Sequence, residues 1–360
     1  TVRIRAERDD LADVLARAGR AVGTRSPLPI LQGVLCEVGG GKLTVTGTDN
    51  EITVRTVLDV EVTDDGSTVI PAKLAADAVR KLPSGAVTMT SDNGEVEITG
   101  NGPRFNLRAM SVDDYPKIAD ADTSDAVEVD GGELTHALTQ VGVAASADDA
   151  RPTLTGVLFE ANDGALRLVA TDSYRLAVKD VPSVATDQIK LVPYRALREL
   201  SRTVGAGAMK VALGDRDASF VTDQGHLTVR VIDATFPNYR QLLPEGHANR
   251  LTVDKEALLE AVGRAALVAE DHIPVRLAMH QGGVELSVIR QEVGEATELL
   301  DAEYSGEDMT IAFNTRYLTD GIMAVDDDKV VVETSDPLKP GLIHGAASAD
   351  FRYLLMPVRL

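Results

Sequence analysis

Apolar positions along the chain recur at two spacings, and the two alternate three times. Leu11, Leu15, Ala18 and Val22 stand at i, i+4, i+7 and i+11; Leu134, Leu138, Val141 and Ala145 repeat that spacing, as do Leu258, Val262, Ala265 and Ala269. Each set forms one stripe of an amphipathic helix, because residues at these spacings fall on one side of a 3.6-residue period. A second helix is predicted in each round, at PAKLAADAVRKL from Pro71, PYRALRELSRTV from Pro193 and NTRYLTDGIMAV from Asn314. Pro71 and Pro193 suit a first helical turn, and Asn314 suits an N-cap. Between the helices the pattern changes to alternating runs: KLTVTG at 42–47, EVEITG at 95–100, LRLVAT at 166–171 and LTVRVI at 227–232 read as half-buried strands. Gly39-Gly40-Gly41, Asp92-Asn93-Gly94 and Asn162-Asp163-Gly164 read as the hairpin turns that join them.

The alternation is an internal repeat. PILQGVLCE from Pro29 matches TLTGVLFE from Thr153, which sets Gly33 on Gly156 at an offset of 123 residues, and the same offset carries Thr48-Asp49 onto Thr171-Asp172. A weaker third copy, IPVRLAMHQGGVELSV, begins at Ile273. The predicted class is therefore α+β, with three tandem repeats of helix, strands, helix, strands whose helices cover one face of antiparallel sheet. Polar joins near 119–126 and 245–250 give expected domains of 1–121, 126–245 and 247–360.

Composition narrows the class. A 360-residue chain that is 44% hydrophobic can fill several cores. No stretch approaches twenty apolar residues, and TVRIRAERDD at the start lacks the apolar run of a signal peptide, so no membrane partner is expected. One cysteine, Cys36, forms no intramolecular disulfide and fits a reducing, cytoplasmic setting. The net charge of −20 argues against gripping nucleic acid over the whole surface, since tight binding neutralises phosphates with Lys and Arg. It leaves room for a basic patch on an acidic body.

No catalytic constellation emerges. VGGGKL at 38–43 fails as a phosphate loop: the pattern requires glycine at position 36, which is Cys36, and Ser or Thr at 43, which is Leu43. Asp113-Asp114 and Asp326-Asp327-Asp328 lack the ligand spacing of a calcium loop, and six scattered histidines with one cysteine make no zinc site. Ser173 lacks a nucleophile elbow. No metal, cofactor or catalytic residue is expected. The positive charge says more. Arg195, Arg198 and Arg202 stand at i, i+3 and i+7; Lys73, Arg80 and Lys81 lie on the first repeat's second helix; Arg316 begins the third; Arg17, Arg20 and Arg264 lie on first helices. Any one such face is an ordinary solvated surface. Their recurrence points to a shared basic surface.

These residues bring the sequence to a known family. TDSYRLA at 171–177, FPNYRQLLP at 236–244, YLLMPVRL at 353–360, SPLPILQGV at 26–34 and RPTLTGV at 151–157, in that order on a three-repeat frame, resemble the bacterial DNA sliding clamp, the beta subunit of DNA polymerase III. LVAE at 267–270 and the MPVRL ending give it an actinobacterial look. The resemblance covers essentially the whole chain. It implies a homodimer, head to tail, that makes a six-domain ring around double-stranded DNA, held by topology without sequence preference. It implies a non-catalytic processivity factor at the nucleoid, which tethers the DNA polymerase III alpha subunit, the clamp loader and repair polymerases by clamp-binding peptides.

Carried over residue by residue, the partner-peptide pocket implied is Leu154, Thr171, Ser173, Tyr174, Arg175, Leu176, Pro237, Gln241, Leu242, Leu354, Met356, Pro357, Val358, Arg359 and Leu360. The DNA-facing residues implied are Arg25, Lys73, Arg80, Arg195, Arg198 and Arg202, and the dimer interface Arg104, Phe105 and Leu107 against Leu267 and Val268, with Arg108 and acidic residues near Glu298 at its rim. The chain departs from the family at Gln241, where Arg is common, at Tyr174, where His or Phe is common, and at Asp148, which replaces a neutral polar residue in a DNA-facing loop. Such changes also fit a second clamp copy with altered ligand sensitivity. A generic protein-binding repeat scaffold is the other alternative, and a nucleotide-processing enzyme lacks its cluster.

Overall fold

A computed structural model describes residues 1–23, 28–244, 246–270 and 272–360. The predicted first helices form at α1 (Arg8–Gly19), α3 (Gly131–Gly142) and α6 (Lys255–Ala269), and the second ones at α2 (Ala72–Lys81), α4 (Tyr194–Leu197) with α5 (Leu200–Val204), and α7 (Thr315–Ala324). Their apolar stripes are buried: Leu11, Leu15 and Ala18 on α1, Leu134, Leu138 and Val141 on α3, and Leu258, Val262, Ala265 and Ala269 on α6. Val22 and Ala145 lie past the helix ends, so α1 and α3 stop one turn short of the stripe that the spacing predicts. Asn314 caps α7 as expected, its side chain accepting from Tyr317 N at 3.0 Å, and Asp254 caps α6 by accepting from Ala257 N at 2.9 Å. Pro71 sits one position earlier than a first helical turn, at the N-cap, with extended backbone that still belongs to the preceding strand. The helix expected from Pro193 is broken: Glu199 N donates to Ala196 O in a tight turn between α4 and α5.

The chain divides into two compact units, and the division runs through the middle repeat. Unit 1 holds Thr1–Thr135 and Arg195–Val231; unit 2 holds His136–Tyr194 and Ile232–Leu360. The cause is strand pairing. In unit 1 an eight-stranded antiparallel sheet runs from Val127–Asp130 through Ala208–Leu213, Asp217–Thr222 and Gly225–Arg230, and continues into the first repeat at Ile52–Asp59, Lys42–Thr48, Gly33–Gly39 and Gly66–Pro71. In unit 2 a nine-stranded sheet follows the same plan: Lys190–Pro193, Gly156–Asn162, Ala165–Thr171 and Arg175–Ala185 of the second repeat continue into Phe351–Leu355, Gly341–Gly345, Lys329–Thr334, Asn249–Asp254 and Glu303–Ser305 of the third. The middle repeat thus gives half its strands to each neighbour. A five-stranded sheet completes unit 1 and a four-stranded sheet completes unit 2.

The predicted turns are of the type that suits twisted hairpins. Gly40 and Gly41, Asn93 and Gly94, and Asp163 and Gly164 all adopt positive φ in consecutive pairs, which glycine, Asn and Asp tolerate best. The core of the first repeat gathers Ile4, Leu11, Leu15, Val34, Val45, Ile70, Val79 and Met89, all at most 1% exposed. Cys36 lies in it, and burial pushes its thiol up to about 12, with Glu37 adding to the shift. This cysteine is structural and unreactive. Among the described residues no helix is long and apolar enough to cross a membrane.

Candidate partner-binding site and basic helix faces

All fifteen residues carried over as a peptide pocket fall in unit 2. The centre is the turn that joins Ala165–Thr171 to Arg175–Ala185. Thr171 Oγ1 donates to Arg175 O at 2.7 Å, and Asp172 Oδ1 accepts from Tyr174 N and Arg175 N at 3.0 and 3.1 Å. Ser173 takes a left-handed φ of 79° and accepts from Arg151 Nη2 at 2.6 Å. This hydrogen-bonded turn leaves the Tyr174 ring 58% exposed, while Arg175 is drawn inward to 7%.

Arg175 is the most constrained side chain of the set. Its guanidinium bonds Asp172 Oδ2 at 3.0 Å, Asp320 Oδ2 on α7 at 2.6 Å and Tyr353 OH at 3.3 Å, and lies 4.3 Å over the Tyr317 ring. Burial pulls its pKa down, but Tyr353, Asp320 and Asp172 outweigh that and hold it above the ordinary arginine value. Tyr174 stacks on the same Tyr317 at 6.0 Å. Asp172, Asp320, Tyr317 and Tyr353 are site residues beyond those the sequence predicts. Asp172 has a signal there in its repeat with Asp49, and Tyr353 in the YLLMPVRL ending.

Part of the set is tied to this turn by strand pairing and main-chain bonds. Leu176 pairs directly across the sheet with Leu354, and both are buried in a cluster with Leu158, Val178 and Tyr239. Met356 N donates to Tyr174 O at 3.0 Å, and Val358 N to Ala312 O at 2.8 Å, which fixes the C-terminal segment beside the turn. Leu154 is buried; Pro237, Gln241 and Arg359 are exposed, and Pro357 half-buried. Tyr174, Leu242, Met356 and Leu360 are 46–65% exposed. These four are among the large apolar side chains that unit 2 leaves in water.

The basic set is less uniform than its spacing suggested. Arg25 lies outside the described residues. Lys73, Arg198 and Arg202 are exposed and have no ion partner among the described residues, and Arg80 meets Asp77 at 3.5 Å. Arg195 is not a free cation: it bonds Asp49 at 2.8 Å and Glu51 at 2.6 Å. The helix break puts it on a different segment from Arg202, so the i, i+3, i+7 face does not exist as one helical face. Arg17, Arg20 and Arg264 are likewise paired, with Asp13, Glu199 and Glu298.

The residues carried over as a dimer interface sit at sheet edges and helix ends. Arg104, Phe105 and Leu107 belong to Arg104–Arg108, the outer strand of the five-stranded sheet. Leu107 is only 7% exposed and packs into its own core; Arg104 meets Glu97 at 3.6 Å. At the end of α6, Leu267 is 84% exposed and Val268 half-buried. Among the described residues no group of three or more His, Cys, Asp or Glu could hold a metal ion.

Comparison with known proteins decides what this arrangement belongs to. Three family descriptions match in succession: the N-terminal domain of the DNA polymerase III beta subunit over residues 2–119, its central domain over 128–238 and its C-terminal domain over 240–359. A "Beta sliding clamp" of Streptomyces coelicolor is 31% identical over the full length of both chains. The chain belongs to the beta sliding clamp family. A second clamp, from Micrococcus luteus, is 34% identical across 81% of this chain and 96% of its own. The crystal structure of a DnaN sliding clamp of Pseudomonas aeruginosa bound to griselimycin superposes with a TM-score of 0.93 at 28% identity, covering both chains completely. Sliding clamps are processivity subunits of the replicative polymerase, not catalysts, and function as a DNA sliding clamp follows for this chain. These relatives do not favour a second copy with altered ligand sensitivity or a generic scaffold.

Proposed function

We propose that two copies of this chain close head to tail into a ring around duplex DNA, and that the pocket around Arg175 and Met356 tethers the polymerase III alpha subunit, the clamp loader and repair polymerases. Each chain contributes clamp domains at 1–121, 126–245 and 247–360, and the ring works in the cytoplasm at the nucleoid. The observation that supports closure is a pair of open sheet edges, Arg104–Arg108 in the five-stranded sheet and Gly294–Asp301 in the four-stranded one. An open edge presents unpaired N–H and C=O groups, and antiparallel pairing of one copy's first edge with the other copy's second edge satisfies both. Phe105 and the exposed Leu267 with Val268 supply the apolar part of that interface. Leu107 contributes through its backbone, since its side chain is buried in its own core. Arg104 and Arg108 add rim charge, worth under about 1 kcal/mol per pair.

For the pocket, the exposed apolar side chains of Tyr174, Leu242, Met356 and Leu360 support a partner peptide with apolar anchors, held beside a turn that Arg175 keeps rigid. Lys73, Arg80, Arg198 and Arg202, with Arg25, supply weak and mobile phosphate contacts, which is compatible with a net charge of −20 because topology supplies persistence. The test is retention: a loader-assembled ring stays on nicked circular DNA at salt that strips ordinary basic binders and leaves when the circle is cut. Equal retention on linear DNA with free ends would overturn the ring.

A further inference from the structure

The internal repeat builds the Arg175 turn twice. Thr48 Oγ1 donates to Ile52 O at 3.0 Å, as Thr171 Oγ1 does to Arg175 O at 2.7 Å. Asp49 Oδ1 accepts from Glu51 N and Ile52 N at 2.9 and 2.7 Å, as Asp172 Oδ1 does from Tyr174 N and Arg175 N. Asn50 and Ser173 take the same left-handed conformation, at φ 74° and 79°. The following strands pair alike, with Thr53 opposite Thr228 in unit 1 and Leu176 opposite Leu354 in unit 2. Even the neighbouring segment is tied in the same way: Arg230 N donates to Glu51 O and Met356 N to Tyr174 O.

Side chains, not backbone, distinguish the two sites. Beside the unit 1 turn lies a cavity of about 510 Å³ lined by Glu51, Thr53, Ser219, His226, Thr228 and Arg230. Where unit 2 has Tyr174, Leu176, Leu354 and Met356, unit 1 has Glu51, Thr53, Thr228 and Arg230. The Thr53 hydroxyl is paired with Thr48 at 2.9 Å and Thr228 with Ser219 at 3.0 Å. Glu51 is held by Arg195 at 2.6 Å, where unit 2 stacks Tyr174 on Tyr317. His226 Nε2 is buried without a hydrogen-bond partner among the described residues. The lining includes Ile118, Ala121 and Ala212, but an apolar anchor seated there would have to desolvate Glu51, Thr53, Thr228 and Arg230, where unit 2 sets Tyr174, Leu176, Leu354 and Met356.

We infer that this cavity is a repeat-related copy of the partner-peptide pocket, and that Thr53 and Thr228, against Leu176 and Leu354, restrict apolar partner peptides to one site per chain. The inference rests on the reading that such peptides seat around Arg175 and Met356. It gives Leu176 and Leu354 a role in selection beyond filling the core.

The test is the stoichiometry of a labelled synthetic peptide with leucine and phenylalanine at its C-terminal end, titrated calorimetrically into the full chain. The expected count is one site for the unaltered chain and two for Thr53→Leu/Thr228→Leu, whose fold is checked by its melting curve. Tyr174→Glu/Met356→Arg, at two exposed positions, should weaken the original site at least tenfold. Addition of peptide to the Thr→Leu chain should shift the His226 imidazole NMR signals, which stay still in the unaltered chain. If Tyr174→Glu/Met356→Arg leaves binding unchanged, the pocket reading fails and the inference with it. If that variant loses binding but Thr53→Leu/Thr228→Leu still takes one peptide with His226 unmoved, the pocket reading stands and the inference is wrong.

Discussion

Arg175 Nη1 donates to Asp320 Oδ2 at 2.6 Å, and this contact ties the turn that presents Tyr174 to helix α7. The arginine side chain is 6% exposed, so its charge depends on Asp172 and Asp320 for compensation. Asp320→Ala leaves Asp172, the Tyr353 hydroxyl and the face of the Tyr317 ring. Removing one partner of a buried charge costs about 3–5 kcal/mol, and the surviving pair with Asp172 brings the expected loss nearer 2–3 kcal/mol. Urea unfolding reads this as a lower midpoint at unchanged slope. Peptide affinity should fall with it, because the turn loses its anchor. Full stability in Asp320→Ala would show that Asp172 alone compensates Arg175.

Deleting 356–360 should abolish peptide binding and leave the dimer intact. The segment carries the exposed Met356 and Leu360 and is held by main-chain bonds from Met356 N and Val358 N. Each such bond is worth about 1 kcal/mol net, too little for the fold to depend on it. Fluorescence anisotropy of a labelled peptide and sedimentation of the chain give the two readings. Undiminished peptide binding by the truncated dimer would put the pocket elsewhere.

Replacing both Leu267 and Val268 with Asp should give a folded monomer. Leu267 is 84% exposed in the single chain, so a charge there costs the fold little. At a closed interface the same charges are buried opposite apolar groups and cost several kcal/mol. Sedimentation velocity should show half the mass with unchanged circular dichroism. A dimer of unaltered affinity contradicts this assignment of the interface.

The parts of this molecule that were legible from sequence share one property: they follow from local periodicity. The stripes of α1, α3 and α6, the Asn314 cap and the positive-φ hairpin turns each depend on residues within a few positions of one another. Strand partnership does not. Nothing near Gly225–Arg230 in sequence says that it pairs with Ile52–Asp59, so the sharing of the middle repeat between two units was not foreseen. Ion pairing is hidden for the same reason. Arg195 meets the expected spacing of a basic face, yet Asp49 and Glu51, brought from 146 and 144 positions away, neutralise it. Asp320 escaped notice as a site residue because its partner Arg175 lies 145 positions earlier.

His226 should make the fold acid-sensitive above the range where carboxylates titrate. Burial lowers its pKa from 6.5 to about 4, with Arg55 adding to the shift and Asp120 opposing it. The folded state therefore favours the neutral ring, and between pH 6.5 and 4 the unfolded chain binds more protons. The contribution is complete above pH 6.5 and is lost as pH falls towards 4; a shift of this size corresponds to on the order of 3 kcal/mol. Urea unfolding at fixed protein concentration from pH 7 to 4.5 should show it, and His226→Gln should flatten the slope across that window. An equal slope in the variant would assign the acid sensitivity to other groups.

How the ring holds DNA is tested best at the cations that have no partner. Arg195 is unsuitable, because Arg195→Glu places a third carboxylate beside Asp49 and Glu51 and disturbs the fold as well as any DNA contact. Arg198, Arg202 and Lys73 are exposed and unpaired among the described residues, so their reversal to Glu leaves no buried charge behind. If they face the duplex, each contributes one weak phosphate contact. The logarithm of affinity for free DNA falls with the logarithm of salt by about 0.9 per phosphate neutralised, so losing three contacts should flatten that slope by roughly 2–3. Reversal also removes three positive charges and adds three negative ones, taking the chain from −20 to −26, which should slow loading most at low salt, where screening is weakest. The dimer mass should not change. Persistence on a closed circle should change little, since once the ring is shut a phosphate contact is not what keeps it there. If the triple reversal instead releases the ring from closed circular DNA as fast as from linear DNA, those side chains grip the duplex directly and topology is not what retains it.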